Sequence, residues 1–203
     1  WRKVFAISGD EQDKNPEISE DSVKISIVAA NVFFDYIQQI TNQENPVIAV
    51  GMDSRPTGPA IADGMLRALV TKGAIIQYCG VSSAPEIMAF SKKLDGFIYI
   101  SASHNPIGHN GVKFGKNDGG VIPGSEASVL AKDFLSLCDV DNPIEKAEFL
   151  SNCDENLLKV VYAESEIHKK AAIAFYEDFS TKVICGDADS DLIFGSIKET
   201  TKT

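Results

Sequence analysis

The fold of this chain is set by the stretch "VIAVGMDSRPTGPAIADGMLRALVTKGAIIQYCG" over residues 47–80. It begins with a short apolar run of the kind that forms a fully buried strand. The turn residues "DSRPTG" lead into apolar positions at helical spacing over residues 60–72, and Gly73 follows as a C-terminal stop. A second apolar run over residues 74–80 predicts another strand. A strand, a helix and a strand in this order predict a parallel pair joined by a crossover helix.

The same alternation continues on both sides of that unit. Upstream, helical spacing over residues 21–40 predicts a helix with Ser19 as its N-cap. Downstream we predict a helix over residues 85–94, a strand over 96–100 and a helix over 125–138. This pattern predicts an α/β fold, a three-layer α/β/α domain with a mixed, largely parallel central sheet. In such sheets, ligands gather at the carboxyl ends of the strands.

The pattern weakens after the fourth predicted helix. Residues 139–156, "DVDNPIEKAEFLSNCDEN", are polar and weakly periodic, which predicts a linker. A helix over residues 167–179 and a strand over 182–186, "KVICG", then look like the start of another βα unit. We therefore expect a first domain over residues 1–148, and a linker with the beginning of a truncated second domain over residues 149–203.

Composition excludes some classes of partner. The chain has 203 residues and a formal net charge of −10, which argues against a nucleic acid, because phosphate backbones are bound by basic surfaces. No signal peptide is visible in this sequence, and no apolar run approaches the roughly 18 residues of a membrane-spanning helix. Four scattered cysteines form no CxxC pair and favour reduced thiols. We expect no membrane partner and a cytoplasmic location.

The loop "SASHNPIGHNGVK" follows the predicted strand over residues 96–100 and carries the candidate chemistry. Ser103 lies between a small residue and a turn, so its hydroxyl could stand clear of the backbone. A serine hydroxyl is a weak nucleophile without help, and His104 is its direct neighbour. The fixed positive charge of Lys113 suits phosphoryl transfer, in which negative charge must be offset.

From the residues alone, a purely structural interpretation of this loop also stays open. Asn105 and Asn110 could donate hydrogen bonds to a phosphate, but serine and asparagine also cap turns, and histidine and lysine are often solvated. The loop lacks the G-x-S-x-G pattern of serine hydrolases, and the chain has no P-loop lysine followed by serine or threonine. Spacing does not separate a phosphoryl-transfer site from a long turn.

Two motifs favour the phosphoryl-transfer interpretation of the loop. "SASHNP…NGVKF" resembles the phosphoserine loop of the α-D-phosphohexomutase family, which includes phosphoglucomutase, phosphomannomutase and phosphoglucosamine mutase. "VGMDSRPTGPAIADGMLRAL" resembles the other first-domain signature of that family, and Trp1-Arg2 resembles the end of its opening motif. The resemblance implies an isomerase that moves a phosphoryl group between the 1- and 6-positions of a hexose phosphate, through a phosphoserine and a bisphosphate intermediate.

The resemblance also implies roles for individual residues. Ser103 would carry the phosphoryl group and, through its phosphate, bind a catalytic Mg²⁺. His104 and Lys113 would surround that phosphate and assist with protons and charge. Arg2 and Arg55 match arginines that line the first-domain side of the active site. With the two loop asparagines, the candidate substrate- or phosphate-binding residues are Arg2, Arg55, Asn105 and Asn110.

The family's other motifs are absent from this sequence. Its metal loop, sugar-recognition loop and terminal phosphate loop do not occur, so the remaining mutase domains are expected in a parent chain. The expected ligands are a hexose monophosphate, a hexose bisphosphate as intermediate or activator, and Mg²⁺. "GDADSDLIF" spaces Asp187, Asp189 and Asp191 like a metal loop, but no arginine follows, and we predict a solvated acidic turn there.

Two functional hypotheses follow. The first is the N-terminal part of a phosphohexomutase that is inactive alone but carries a competent phosphoserine loop. The second is a non-catalytic α/β module that keeps the loop as a phosphate-binding or interaction surface. The set of Ser103, His104 and Lys113 favours the first, because a binding module needs no nucleophile.

Overall fold

The computed structural model describes residues 2–139 and 143–200. Within them, one mixed five-stranded sheet has the strand order β1-β5-β4-β2-β3. The strands are β1 (Arg2–Val4), β2 (Val47–Met52), β3 (Ile75–Val81), β4 (Gly96–Ile100) and β5 (His109–Lys116). The helices are α1 (Glu20–Thr41), α2 (Gly58–Lys72), α3 (Ala84–Phe90), α4 (Gly124–Cys138), α5 (Pro143–Ser151), α6 (Glu155–Ala163), α7 (Ser165–Cys185) and α8 (Ser190–Thr200). None of the helices in these ranges combines the length and apolar character needed to cross a membrane.

The first helices and strands lie where the sequence predicts them. Ser19 caps α1, and its hydroxyl oxygen accepts a hydrogen bond from the amide of Ser22 at 3.2 Å. Gly73 ends α2 in the left-handed conformation, with φ of 81°, which glycine adopts without steric cost. Strand β2 pairs in parallel with both β3 and β4, as the crossover helices require.

The predicted three-layer α/β/α architecture with a mixed sheet is confirmed. The larger apolar core lies between the sheet and a layer that includes α1, α2, α4 and α5. The smaller core lies on the other face, under α3 and α7. Strands β5 and β1 add the antiparallel pairings. Neither strand is predicted from the sequence. Strand β1 has only three residues, and the alternating Val112 and Phe114 of β5 are surrounded by glycines and turn residues.

The predicted linker over residues 139–156 is wrong, because most of its described residues are helical and only Asp139 and residues 152–154 are not. Residues 140–142 lie outside the described ranges. Helix α5 occupies much of the stretch, and its Ala147 and Leu150 are each 1% exposed in the larger core beside α1 and α2. Asp154 then caps α6 through its side chain. The polar residues on the exposed side of this short helix give it the composition of a linker.

The predicted strand over residues 182–186 is also wrong, because α7 continues to Cys185. A short apolar run is compatible with either structure, and here it completes a long helix. Ala172 of α7 is 1% exposed in the smaller core, and the Phe175 ring lies 6.4 Å from that of Phe90 on α3. Helix α7 therefore covers the sheet of the first domain. The domain boundary at residue 148 stays a prediction.

Candidate functional site

Ser103 lies in the loop that joins β4 to β5, at the carboxyl end of β4. Its side chain is exposed and its φ is 59°, in the left-handed region that costs a residue with a β-carbon about 1–2 kcal/mol. In the described residues only Asn42, which ends α1, is another non-glycine residue with positive φ. The amide of Ser103 donates to the hydroxyl oxygen of Ser101 at 3.0 Å. Strain of this kind persists only where the surroundings impose it.

The hydrogen bonds that hold Ser103 in this conformation are centred on Arg55, in the loop after β2. Its side chain is 8% exposed, and Nε donates to Oδ2 of Asp53 at 3.2 Å. The two terminal nitrogens donate to four carbonyl oxygens of the 103–109 segment. These belong to Ser103 at 2.8 Å, Asn105 at 2.6 Å, His109 at 3.0 Å and Pro106.

A guanidinium has five N–H donors, and those of Arg55 all have acceptors within the protein. Arg55 is among the substrate- or phosphate-binding residues that the family resemblance implies. In this arrangement it has no N–H left for a phosphate, so the structure gives it another role, that of holding the loop.

The two candidate asparagines also serve the loop itself. Nδ2 of Asn105 donates to the carbonyl oxygen of Ala102 at 2.8 Å. Asn110 is fully buried, donates to the hydroxyl of Thr57 at 3.0 Å, and accepts from the amide of Gly111 at 2.9 Å. Asn110 is therefore a buried cross-link between β5 and the loop before α2, rather than the phosphate ligand that the sequence suggested.

A third support comes from the segment between β1 and α1, which sequence reasoning missed. The amide of Gly108 donates to the carbonyl oxygen of Glu11 at 2.7 Å. The carbonyl of Gly108 accepts from the amides of Phe5 and Ala6 at 2.9 and 3.2 Å. Nε2 of His109 lies 3.2 Å from the Glu11 carboxylate. Such backbone contacts leave no signal in the sequence beyond a glycine at the point of closest approach.

Lys113 and Arg2 share one face of the sheet. Lys113 on β5 is paired with Tyr99 on β4, and its Nζ lies 5.8 Å from the centroid of the Tyr99 ring. Arg2 on β1 is paired with Gly111, two residues before Lys113. Since alternate residues of a strand share a face and directly paired residues lie on the same side, both cations project from the Tyr99 face.

Four predicted site residues keep their side chains available for a ligand. Within residues 2–139 and 143–200, the side chains of Arg2, Ser103, His104 and Lys113 make no hydrogen bond or ion pair with another residue. Arg2, Ser103 and His104 are exposed, and Lys113 is partly buried. The arrangement is an exposed hydroxyl beside an imidazole, on a rigid loop, with cations on the adjoining strands. It is suited to an anionic group that reacts at the serine.

The described residues do not supply a magnesium site. They contain no cluster of three or more histidine, cysteine, aspartate or glutamate side chains that could hold a metal ion. Asp187, Asp189 and Asp191 are exposed near the start of α8, where Oδ1 of Asp189 accepts from the amide of Asp191 at 2.9 Å.

Comparisons with known proteins place this arrangement in a family. The domain model "Phosphoglucomutase/phosphomannomutase, alpha/beta/alpha domain I" matches residues 5–137. A phosphoglucosamine mutase of Staphylococcus carnosus is 31% identical over 104 residues, which are 50% of this chain and 22% of that protein. A phosphoglucosamine mutase of an Exiguobacterium species is 37% identical over 78 residues, 37% of this chain and 17% of that protein.

Among solved structures, a phosphoglucomutase/phosphomannomutase family protein of Burkholderia thailandensis is 21% identical, with a TM-score of 0.48. The alignment covers 60% of this chain and 28% of that one, a likeness too slight to argue from. The chain spans about a fifth of the length of the curated relatives that it matches. The domain match includes all of β2 to β5, the region that holds the Ser103 loop. The chain therefore belongs to the phosphoglucomutase/phosphomannomutase family and carries its α/β/α domain I.

Proposed function

We propose that Ser103 is the phosphoryl carrier of a hexose-phosphate mutase, which moves a phosphoryl group between the 1- and 6-positions of its sugar through a hexose bisphosphate. The main support for this proposal is the conformation and exposure of Ser103. Its hydroxyl is exposed, its backbone is strained, and the loop around it is held by Arg55. A turn with no function would relax to an unstrained conformation, so the strain favours a reactive serine.

The chemistry assigned to this chain is a reversible transfer. In the forward step the bond between phosphorus and Oγ of phosphorylated Ser103 breaks, and a bond forms between phosphorus and a sugar hydroxyl oxygen. The proton of that hydroxyl passes to a base, for which the adjacent His104 imidazole is suited, and the departing Oγ of Ser103 takes up a proton, for which the Lys113 ammonium is suited. The reverse step, from the other phosphate of the bisphosphate, restores phosphoserine. Lys113 and Arg2 offset the negative charge of the transferring group.

Other parts of the proposal lie outside the described residues. A Mg²⁺ ion would bind an oxygen of the Ser103 phosphate, take its carboxylate ligands from outside the described residues, and offset negative charge on the transferring group. The hexose monophosphate would be recognised with the help of the remaining mutase domains, and the 203-residue chain alone would be inactive. A cytoplasmic location belongs to the same proposal.

Phosphopeptide mapping of the gene's full-length product tests the assignment. We expect a fraction of the purified protein to carry phosphate on Ser103. Ser103→Ala should lower kcat about 1,000-fold or more, because loss of a nucleophile removes the covalent route. Ser128→Ala, at an exposed position on α4, is the control and should leave kcat unchanged. Phosphate found only on another residue, or full activity of Ser103→Ala, would show that the assignment is wrong.

A further inference from the structure

We infer that Arg55 is a positioning residue that fixes the reactive conformation of Ser103, and that it does not bind the substrate. The catalytic part of this inference rests on the proposed function. Its structural part, that Arg55 holds the loop in place, stands on geometry alone. The two parts can be measured separately.

The guanidinium joins two segments that are distant in the sequence, the loop after β2 and the 103–109 segment. It is held on one side by Asp53, whose Oδ2 accepts from Nε at 3.2 Å and whose Oδ1 accepts from the Arg55 amide at 3.1 Å. On the other side it donates to backbone carbonyls at both ends of the 103–109 segment. With the side chain 8% exposed, these hydrogen bonds are shielded from competing water.

The contact with Ser103 itself is direct. Nη2 of Arg55 lies 2.8 Å from the Ser103 carbonyl oxygen, and the Ser103 amide donates to Oγ of Ser101 at 3.0 Å. The peptide groups before and after Ser103 are thus both fixed, which holds φ at 59° against its steric preference. Without the Arg55 contact, the carbonyl would be free to turn, and the hydroxyl would leave its presented position.

Lysine cannot replace this arrangement. A guanidinium presents five N–H groups in a rigid plane, whereas an ammonium presents three around one point. Arg55→Lys keeps the positive charge but cannot reach four carbonyls and Asp53 together. We expect kcat to fall about 100-fold, the effect of a misplaced reacting group, while KM changes less than about twofold because no substrate contact is lost.

Arg67→Lys is the matched control. Arg67 is a partly buried arginine that forms ion pairs with two carboxylates, with Nε 2.8 Å from Asp63 and Nη1 2.6 Å from Glu155. It joins α2 to α6 and makes no hydrogen bond or ion pair with the Ser103 loop. Its replacement should lower thermal stability and leave kcat and KM unchanged. If Arg55→Lys fails to fold, Asp53→Asn carries the test, with an expected loss of about tenfold in kcat.

Hydrogen exchange of the 203-residue chain tests the structural part without any activity. In Arg55→Lys, the amides of Asn105, Gly108 and His109 should exchange at least about tenfold faster, while in Arg67→Lys they should keep the wild-type rate. Unchanged exchange in Arg55→Lys overturns the structural part.

Kinetics of the full-length product then test the catalytic part. A higher KM with unchanged kcat for Arg55→Lys would mean that Arg55 binds substrate, and would overturn the inference. A wild-type product with no turnover and no phosphoserine would refute the proposed function and the catalytic part together. The exchange result would still decide whether Arg55 holds the loop.

Discussion

The amide of Gly108 donates to the carbonyl oxygen of Glu11 across 2.7 Å, so the loop that carries Ser103 rests directly on the segment between β1 and α1. A β-carbon added to Gly108 would lie 2.4 Å from the Asp10 carbonyl oxygen and 2.9 Å from atoms of the Glu11 backbone. These neighbours are backbone atoms that cannot rotate away, so the two segments must separate when Gly108 is enlarged.

Gly108→Ala should therefore destabilise the chain by about 1–3 kcal/mol, the usual cost of overpacking, and should loosen the Ser103 loop. Urea unfolding measures the first effect and proteolysis of the loop the second. Gly124→Ala is the control, since a β-carbon there meets no atom within 4 Å, and its effect should stay within about 0.5 kcal/mol. A Gly108→Ala variant as stable as Gly124→Ala would contradict the observed approach.

The strain at Ser103 predicts an unusual order of stabilities. Glycine adopts positive φ without steric cost, whereas alanine keeps the clash of its β-carbon. Ser103→Gly should therefore be more stable than Ser103→Ala by about 0.5–1 kcal/mol, even though glycine gains more entropy on unfolding. At Ser128, inside α4, the order should reverse, with the glycine variant less stable by about 1 kcal/mol. The same order at both positions would argue against the left-handed conformation of Ser103.

Lys113 and Lys116, both on β5, serve as a test position and its matched control. Lys116 lies 3.0 Å from both carboxylate oxygens of Glu126, whereas Lys113 faces the Tyr99 ring without a carboxylate partner among residues 2–139 and 143–200. If the charge of Lys113 offsets that of the transferring phosphoryl group, Lys113→Met should lower kcat of the full-length product about 100- to 1,000-fold.

Lys116→Met should leave kcat nearly unchanged and should shift stability by less than about 1 kcal/mol, because its ion pair is partly solvated. Steady-state kinetics and urea unfolding of both variants provide the comparison. Equal kcat values for Lys113→Met and Lys116→Met would remove Lys113 from the proposed site.

Much of the fold was predictable because its signals are local. The helix that Ser19 caps and the unit that ends in strand β3 follow from apolar spacing and from cap residues. The proposal that Ser103 is reactive came from its motif and stays a prediction. The role of Arg55 was not, because its acceptors are backbone carbonyls 48–54 residues away, and any residue type can supply a carbonyl. The structural role of Asn110 was not predictable for a related reason. Its burial depends on its place in strand β5, and the local sequence pattern does not predict that strand.

Neighbouring alanines on α7 test whether this helix belongs to the same folding unit as the sheet. Ala172 is 1% exposed in the core under α7, whereas Ala171 is exposed. Ala172→Glu would bury a carboxylate without a partner and should destabilise the chain by about 3 kcal/mol or more. Ala171→Glu should stay within about 0.5 kcal/mol of wild type. Similar unfolding midpoints for the two variants would show that α7 does not cover the sheet.

Mg²⁺ needs near-octahedral oxygen ligands and gives up its water reluctantly, so a tight site needs several carboxylates aimed at one point. The described residues offer no such cluster, and Asp189 is engaged with the amide of Asp191. Titration calorimetry of the unphosphorylated 203-residue chain should therefore give a dissociation constant for Mg²⁺ weaker than about 1 mM. Asp189→Asn should leave that value unchanged, because Asp189 holds a backbone amide at the start of α8. If Mg²⁺ binds more tightly than about 1 mM and Asp189→Asn abolishes that binding, the acidic turn is a metal site. Some of the magnesium ligands would then lie within the described residues.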